Sequence, residues 1–299
     1  MSDDRDALQL ELLATEPALT PARQALARFR RHKLAMVGLV IITLFVLMAV
    51  FAPLLATHDP EQLDLLEIRQ SPSGSHWLGT DGTGYDVWSR LVYGSRVSLI
   101  VGFGAVALSI TIGILVGLLS GYYGGFIDGA LGRLIDTFQS MPAFLMAVVF
   151  VSLIGPNTKS IIGVIALLGW PATARLVRGQ FLALRDAEFV VAARVIGAPN
   201  RAIIFRHLLP NVLGPVSVAA TFGVAGAILT EAGLSFLGLG VRPPAPTWGS
   251  MVSQARAADV LSNMQWVWVP PAAAIALVVL AVNFVGDGLR DAVDPESRE

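Results

Sequence analysis

The chain has 299 residues, of which 54% are hydrophobic and only 14% are charged, and its mean hydropathy is +0.66. Soluble domains carry about 25% charged residues, so the composition excludes an ordinary soluble domain, and its apolar content excludes a disordered chain. The net charge of −1 gives no sign of a nucleic-acid partner. Cysteine is absent, which excludes a disulfide framework and a thiolate metal site.

Six stretches with little or no charge are long enough for transmembrane helices, which need about 20 apolar residues to cross a hydrocarbon core of about 30 Å. In chain order they lie near residues 34–55, 97–121, 136–159, 159–175, 207–231 and 259–287. The fourth is the shortest, so we expect its helix to continue past Arg175, with that side chain extended towards the lipid head groups. The sequence therefore predicts an all-α, polytopic membrane protein with six transmembrane helices.

Lysine and arginine are distributed unequally between the two sides of these helices. Fifteen of the 21 lie on the side that holds both termini, and six lie on the other side. The positive-inside rule therefore places both termini in the cytoplasm. The predicted division is a cytoplasmic segment (1–33), a first transmembrane helix (34–55), an extracytoplasmic loop (56–96), a five-helix core (97–290) that contains a cytoplasmic loop (177–211), and a cytoplasmic tail (291–299).

Glycine recurs at every fourth position along the second predicted helix and beyond it, at Gly113, Gly117, Gly121, Gly125 and Gly129. Small residues at this spacing form a smooth helix face that another helix can approach closely within a lipid bilayer. The pattern predicts a helix-packing surface. It leaves open whether the neighbour is a helix of the same subunit, a helix of another subunit or the lining of a pathway.

The cytoplasmic loop between the fourth and fifth helices predicts a helix–turn–helix. Phe181, Leu184, Val191 and Val195 recur there at intervals of three and four, which predicts a helix to about Ile196 with one apolar face. We expect Gly197 to cap this helix and Pro199 to lie in the first turn of a second, short helix that ends at Pro210. The segment as a whole is too polar to cross the membrane. Its apolar face therefore needs another protein surface to cover it.

The residues of this loop match a known family. The run Ala192-Ala193-Arg194-Val195-Ile196-Gly197, followed after nine residues by His207-Leu208-Leu209-Pro210-Asn211, resembles the coupling loop of binding-protein-dependent ABC importer permeases. The family pattern opens with glutamate where this chain has Val191, and Glu188 stands three residues earlier. The resemblance implies that this loop contacts a separate ATPase subunit through Glu188, Val191, Ala192, Ala193, Gly197, Pro199, His207, Leu209 and Pro210.

Two outer segments and a C-terminal one resemble the peptide/nickel group of this family, in its C-type subunit. They are His76-Trp77-Leu78-Gly79-Thr80-Asp81 with Asp86 and Arg90; Glu231-Ala232-Gly233-Leu234-Ser235-Phe236 with Trp248-Gly249; and Asn283-Phe284-Val285-Gly286-Asp287-Gly288. For Glu231, two roles remain open: accepting hydrogen bonds from the backbone of the loop that follows, or lining an outer gate. The predicted contacts at the outer gate or with a binding protein are Asp81, Asp86, Arg90, Glu231 and Trp248.

The resemblance implies the type I ABC importer permease fold in the cytoplasmic membrane of a bacterium or archaeon. The chain would form half of a pathway for di- or oligopeptides, or for a related solute such as a nickel chelate or glutathione. The implied partners are a paralogous B-type permease in a heterodimer, two ABC ATPase subunits and an extracytoplasmic solute-binding protein. A secondary transporter that does not use ATP and a membrane-embedded scaffold subunit remain as alternatives.

The sequence predicts no cofactor or metal on this chain. It lacks the phosphate-binding pattern G-x-x-x-x-G-K-S/T, so ATP and Mg²⁺ are expected on the ATPase subunits. No nucleophile motif or other catalytic pattern is present, so the chain is not expected to be an enzyme. Its four histidines, His32, His58, His76 and His207, are too dispersed in sequence to suggest a zinc site.

Overall fold

The computed structural model describes residues 21–293, with side chains from residue 24 onwards. The predicted segment 1–33 and tail 291–299 therefore lie partly outside the described residues. The described part is helical and contains no β-strand. Its helices are α1 (Pro21–Arg31), α2 (Lys33–Val50), α3 (Ala52–Leu55), α4 (Val87–Tyr123), α5 (Gly125–Gln139), α6 (Ala143–Ile154), α7 (Thr158–Leu184), α8 (Glu188–Val195), α9 (Asn200–Ala202), a π-helix (Ile203–Leu208), α10 (Leu209–Phe236), α11 (Trp248–Val252), a 3₁₀ turn (Ser253–Arg256), α12 (Ala258–Asn263) and α13 (Gln265–Val293).

Five helical segments of the described chain are long and apolar enough to cross a membrane. They are α2, α4, α7, α13 and the continuous run Asn200–Phe236, which includes α9 and α10. Together α5 and α6 satisfy the same criterion, although the two are bent by 85° relative to each other. With this bent pair counted as one crossing, the described residues contain six, as the sequence predicts.

The third predicted span, 136–159, is not a single helix. Because Pro142 lacks a backbone N–H and disfavours helical geometry at the preceding residue, α5 ends at Gln139 and α6 begins at Ala143. The second helix of the pair then stops at Ile154, where Gly155 adopts a positive φ of 97°. A proline inside an apolar stretch thus divides it into two helices.

The second predicted span, 97–121, is only the central part of a much longer helix. With 37 residues, α4 is about 55 Å long at a rise of 1.5 Å per residue, against a hydrocarbon core of about 30 Å. It begins early because the Asp86 side chain accepts a hydrogen bond from the Ser89 N–H at 2.8 Å, and it ends at Gly124, with a φ of 65°. The helix is therefore longer than the hydrocarbon core is thick.

The fourth predicted span does continue past Arg175, since α7 ends at Leu184. The Arg175 side chain forms an ion pair with Asp136 of α5, and its extension towards the lipid head groups stays a prediction. The helix pair α4–α7 is the most extensive in the fold. Most of what lies on the cytoplasmic side of the molecule is organised around these two long helices.

The glycine pattern divides at the end of α4. A Cβ added to Gly117 would lie 2.5 Å from the Ala174 carbonyl oxygen of α7, and Gly113 and Gly121 are equally close to that helix. Gly125 and Gly129 do not continue this face, because the positive φ values of Gly124 and Gly125 end the helix. No atom lies within 4 Å of a Cβ on either Gly125 or Gly129 among the described residues.

Two buried apolar clusters lie at opposite ends of the bundle. The outer cluster surrounds Trp248 and joins α4, α10, α11 and α13. The inner cluster surrounds Phe181 and joins the cytoplasmic ends of α4, α7 and α10 to the loop between α7 and α10. The cytoplasmic loop is therefore packed onto the bundle as part of its core.

Candidate functional site

The cytoplasmic loop is a helix, a glycine turn and a second helix, as the sequence predicts. The Gly197 N–H bonds to the Arg194 carbonyl, and the Ala198 N–H bonds to the Ala193 carbonyl, both at 3.0 Å. This pair of bonds is a Schellman C-cap, which requires a left-handed residue, and Gly197 has a φ of 80°. The turn therefore depends on a glycine, because a side chain there would be strained.

The apolar residues of α8 face two different surroundings. Val190 and Ala193 are buried against the inner cluster, whereas Val191 is half exposed and Val195 is 81% exposed. The prediction assumed one helix from Phe181 to Val195, but the chain leaves helical geometry at 185–187 and α8 starts again from Glu188. The break changes which residues face the bundle.

As a result, the loop presents an apolar surface to the solvent on the cytoplasmic side. Ile196 is 83% exposed, Val195 81% and Phe205 60%, and Phe189 is also exposed. Glu188, in the first turn of α8, and Ala192 are exposed beside them. This set of exposed residues, Glu188, Phe189, Val191, Ala192, Val195, Ile196 and Phe205, is called the coupling face below.

Pro210 does not end the second helix, contrary to the sequence prediction. The residues before it form a π-helix, in which the Leu209 N–H bonds to the Ile204 carbonyl, five residues back. This wider turn accommodates a residue that has no N–H, so the helix continues through Pro210 into α10. The loop and the fifth crossing are consequently one continuous helical run, in which His207 and Leu209 lie at the junction.

Three further contacts hold the cytoplasmic ends of the helices beside this loop. Arg178 of α7 donates two hydrogen bonds to Asp128 of α5, from Nε at 2.5 Å and Nη2 at 2.9 Å. Asp128 also accepts one from the Ser120 hydroxyl of α4. The Tyr122 hydroxyl donates to the Asn200 side chain at 2.8 Å, which connects α4 to the loop. Sequence reasoning missed these pairs.

On the outer side, Asp86 is both the N-cap of α4 and the centre of a polar cluster. Its Oδ1 lies 2.8 Å from His76 Nδ1 and 3.7 Å from His58 Nδ1. The other ring nitrogen of His76 lies 2.5 Å from Glu67 Oε2. Burial alone would lower the pKa of His76, but its hydrogen bonds to Asp86 and Glu67 outweigh this effect and raise the pKa above 6.5.

Two of the four histidines thus meet, although they are distant in sequence. The rings of His58 and His76 stack with centroids 4.4 Å apart and an interplanar angle of 25°. One ligand atom from each of His58, His76 and Asp86 lies within 4.8 Å of the other two. The histidines are dispersed in sequence, but His58 and His76 meet in space because the outer loop folds back onto the N-terminus of α4.

Asp81 and Arg90 organise the remainder of the outer loop. The Asp81 carboxylate accepts hydrogen bonds from the backbone N–H groups of Thr83 and Tyr85, and from the Gln254 side chain at 3.0 Å. The Arg90 guanidinium stacks on the Tyr85 ring at 4.1 Å and donates to the Pro60 carbonyl at 3.2 Å. These contacts attach the outer loop to α4 and to the segment after α11.

Glu231, near the outer end of α10, is 1% exposed. Its Oε1 accepts hydrogen bonds from the Ser235 and Thr247 hydroxyls, both at 2.8 Å, rather than from the backbone of the loop that follows. Trp248, which is fully buried, donates from Nε1 to the Leu91 carbonyl at 3.1 Å. Together Glu231 and Trp248 attach the segment around α11 to α10 and α4.

The five residues predicted as outer contacts are all buried within this chain, and none is more than 6% exposed. Their side chains hold the outer loop together. Their contact with an outer gate or a binding protein stays a prediction.

Together, these features define a polytopic α-helical membrane protein. A helix–turn–helix loop, with its turn at Gly197, joins two of its crossings. The model of the family described as binding-protein-dependent transport system inner membrane component matches residues 113–299, and the model described as the N-terminal TM domain of oligopeptide transport permease C matches residues 20–72. The chain belongs to the binding-protein-dependent transport permeases of ABC importers. It is a multi-pass protein of the cytoplasmic membrane.

Full-length relatives agree with this assignment. The chain is 43% identical to the dipeptide transport system permease protein DppC of Alkalihalophilus pseudofirmus, over 94% of this chain and 92% of that protein. It is 40% identical to the oligopeptide transport system permease protein OppC of Bacillus subtilis, over 95% and 93%. The fold resembles a chain of the inward-facing MetNI methionine ABC transporter, with a TM-score of 0.56 and 21% identity over 69% of this chain and 96% of that one. Membership of the family implies an ATPase and a binding protein as partners.

Proposed function

We propose that this chain is the C-type permease subunit of an ATP-driven importer of di- and oligopeptides. The names of the relatives DppC and OppC support this class of solute, since both match over nearly the whole chain. The chain would pair with a paralogous B-type permease, and each would supply half of the pathway. An extracytoplasmic binding protein would deliver the peptide to the outer side.

The observation that carries the proposal is the coupling face. Large apolar side chains such as Ile196 and Phe205 are exposed on one side of the loop, while Val190 on the other side is buried in the inner cluster. Exposed apolar patches of this kind mark surfaces that bind protein. We assign this one to an ATPase subunit, which would bind ATP and Mg²⁺ and push on the bundle through α8.

The acidic residue of the coupling face is Glu188, and the arginines Arg194 and Arg206 of the same loop are exposed as well. Glu188 lies in the first turn of α8 and is exposed, with Val191 three residues further along the same helix. Residues three apart lie on the same face of a helix. We propose that Glu188 forms the ion pair with the ATPase that the glutamate of the family pattern, replaced here by Val191, would otherwise form.

Uptake by proteoliposomes tests the proposal. The chain is reconstituted with its co-purifying permease and ATPase subunits, and labelled dialanine and tetraalanine are supplied with the binding protein outside and ATP inside. We expect uptake that requires both the binding protein and ATP hydrolysis. Uptake that continues with an ATPase unable to hydrolyse ATP would contradict the proposal and favour a secondary transporter.

A further inference from the structure

We propose that His58, His76 and Asp86 form a binding site for a single Zn²⁺ ion on the outer side of the protein. The three residues come from different segments: the end of the first crossing, the outer loop and the N-cap of α4. A metal bound there would join all three. The proposal is independent of the solute and of the coupling loop.

The spacing of the ligand atoms suits a tetrahedral zinc ion. Zinc–nitrogen and zinc–oxygen bonds of about 2.0–2.1 Å place two tetrahedral ligands about 3.3 Å apart. Asp86 Oδ1 lies 2.8 Å from His76 Nδ1, which is shorter than the tetrahedral distance, and 3.7 Å from His58 Nδ1, which is longer. The His58 and His76 ligand atoms lie within 4.8 Å of each other, so a movement of the partly exposed His58 ring would bring the three atoms around one ion.

The surroundings supply the second requirement of a metal site, an outer partner for each ligand. His76 Nε2 faces Glu67 Oε2 at 2.5 Å, so the ring can bind zinc through Nδ1 while it donates a proton to a carboxylate from Nε2. Asp86 Oδ2 is held by the Ser89 N–H, which leaves Oδ1 for the metal. Two carboxylates beside the two imidazoles also balance the charge of a divalent cation.

The site has an entry path and room for a fourth ligand. Asp86 and His76 are buried, but the His58 side chain is 42% exposed, and within the described residues its Nδ1 lies near the neighbouring Thr57 hydroxyl, at 3.0 Å, and near Asp86. A water molecule can therefore complete the coordination from the solvent side. Two imidazoles and one carboxylate favour zinc over Mg²⁺ or Ca²⁺, which prefer oxygen ligands.

The experiment measures zinc bound to the intact chain in its assembled complex, purified with a tag that contains no histidine and stripped with a chelator. Competition with a zinc-binding dye gives the affinity and stoichiometry. We expect one Zn²⁺ per copy of this chain, two nitrogens and one oxygen at about 2.0–2.2 Å by X-ray absorption, and a higher melting temperature when zinc is added.

Three variants locate the ion. His58→Ala removes an exposed ligand, and Asp86→Asn keeps an N-cap residue but removes the carboxylate; each should weaken zinc binding by at least about tenfold. His207→Ala, on the cytoplasmic side, is the matched control and should bind zinc like the wild type. Unchanged zinc binding in His58→Ala, or no stoichiometric zinc in the wild type, would overturn the proposal. If Asp86→Asn does not fold, His58→Ala alone decides it.

Discussion

Arg178 donates hydrogen bonds to both carboxylate oxygens of Asp128, at 2.5 and 2.9 Å, and this contact joins α7 to α5 beside the coupling loop. Fifty residues separate the two in sequence. The contact is bidentate and partly buried, so it fixes the relative position of two helices more firmly than a single exposed ion pair would.

Replacing Arg178 with lysine should weaken this contact, because an ammonium group cannot match the two carboxylate oxygens as the planar guanidinium does. We expect a loss of about 1–2 kcal/mol in unfolding free energy. Thermal unfolding in detergent measures it. Arg133→Lys is the control, since Arg133 forms no ion pair within the described residues. Equal melting temperatures for the two variants would contradict the assigned role.

The turn at Gly197 should tolerate asparagine better than valine. A left-handed conformation costs an ordinary L-residue about 1–2 kcal/mol, a β-branched one suffers most, and asparagine is the best tolerated alternative to glycine. Gly197→Val should therefore reduce peptide uptake and ATPase binding, and Gly197→Asn should recover most of both. Normal uptake by Gly197→Val would show that the Schellman turn is dispensable.

Adding a methyl group to Gly117 should destabilise the α4–α7 contact. The new Cβ would lie 2.5 Å from the Ala174 carbonyl oxygen and 2.7 Å from Val177 Cβ. Overpacking of this kind costs about 1–3 kcal/mol. Gly129→Ala is a control from the same sequence pattern, with no atom within 4 Å among the described residues, and should leave the melting temperature unchanged or slightly raised. A neutral Gly117→Ala would argue against close packing of these helices.

The number of crossings and the glycine turn were predictable because both depend on local signals. Charge-free windows locate apolar helices, and Gly197 follows a helical pattern at the position of a cap. The division of the third span was also predictable from Pro142, which disfavours a continuous helix. The prediction relied instead on the apolar composition around that proline. The unexpected length of α4 depends on the Asp86 cap, which lies eleven residues before the predicted window begins at residue 97.

Contacts between distant segments could not be predicted in the same way. The pairing of Arg178 with Asp128 depends on how α5 bends, and the meeting of His58 with His76 depends on how the outer loop folds back. The single helix to about Ile196 was predicted wrongly, because a short break before Glu188 restarts the helix. Periodicity is informative only within one continuous helix.

Labelling of single cysteines tests the central claim, that the coupling face binds an ATPase. The chain contains no cysteine, so Ile196→Cys and Leu66→Cys each introduce one thiol that can be modified; Ile196 is 83% exposed on the cytoplasmic side, and Leu66 is 92% exposed in the outer loop. Maleimide labelling is measured with and without the ATPase. We predict that the ATPase slows labelling of Ile196→Cys by at least about tenfold, as expected for the core of an interface, and leaves Leu66→Cys unchanged. Equal labelling of Ile196→Cys in the assembled complex and in the free permease would contradict the account.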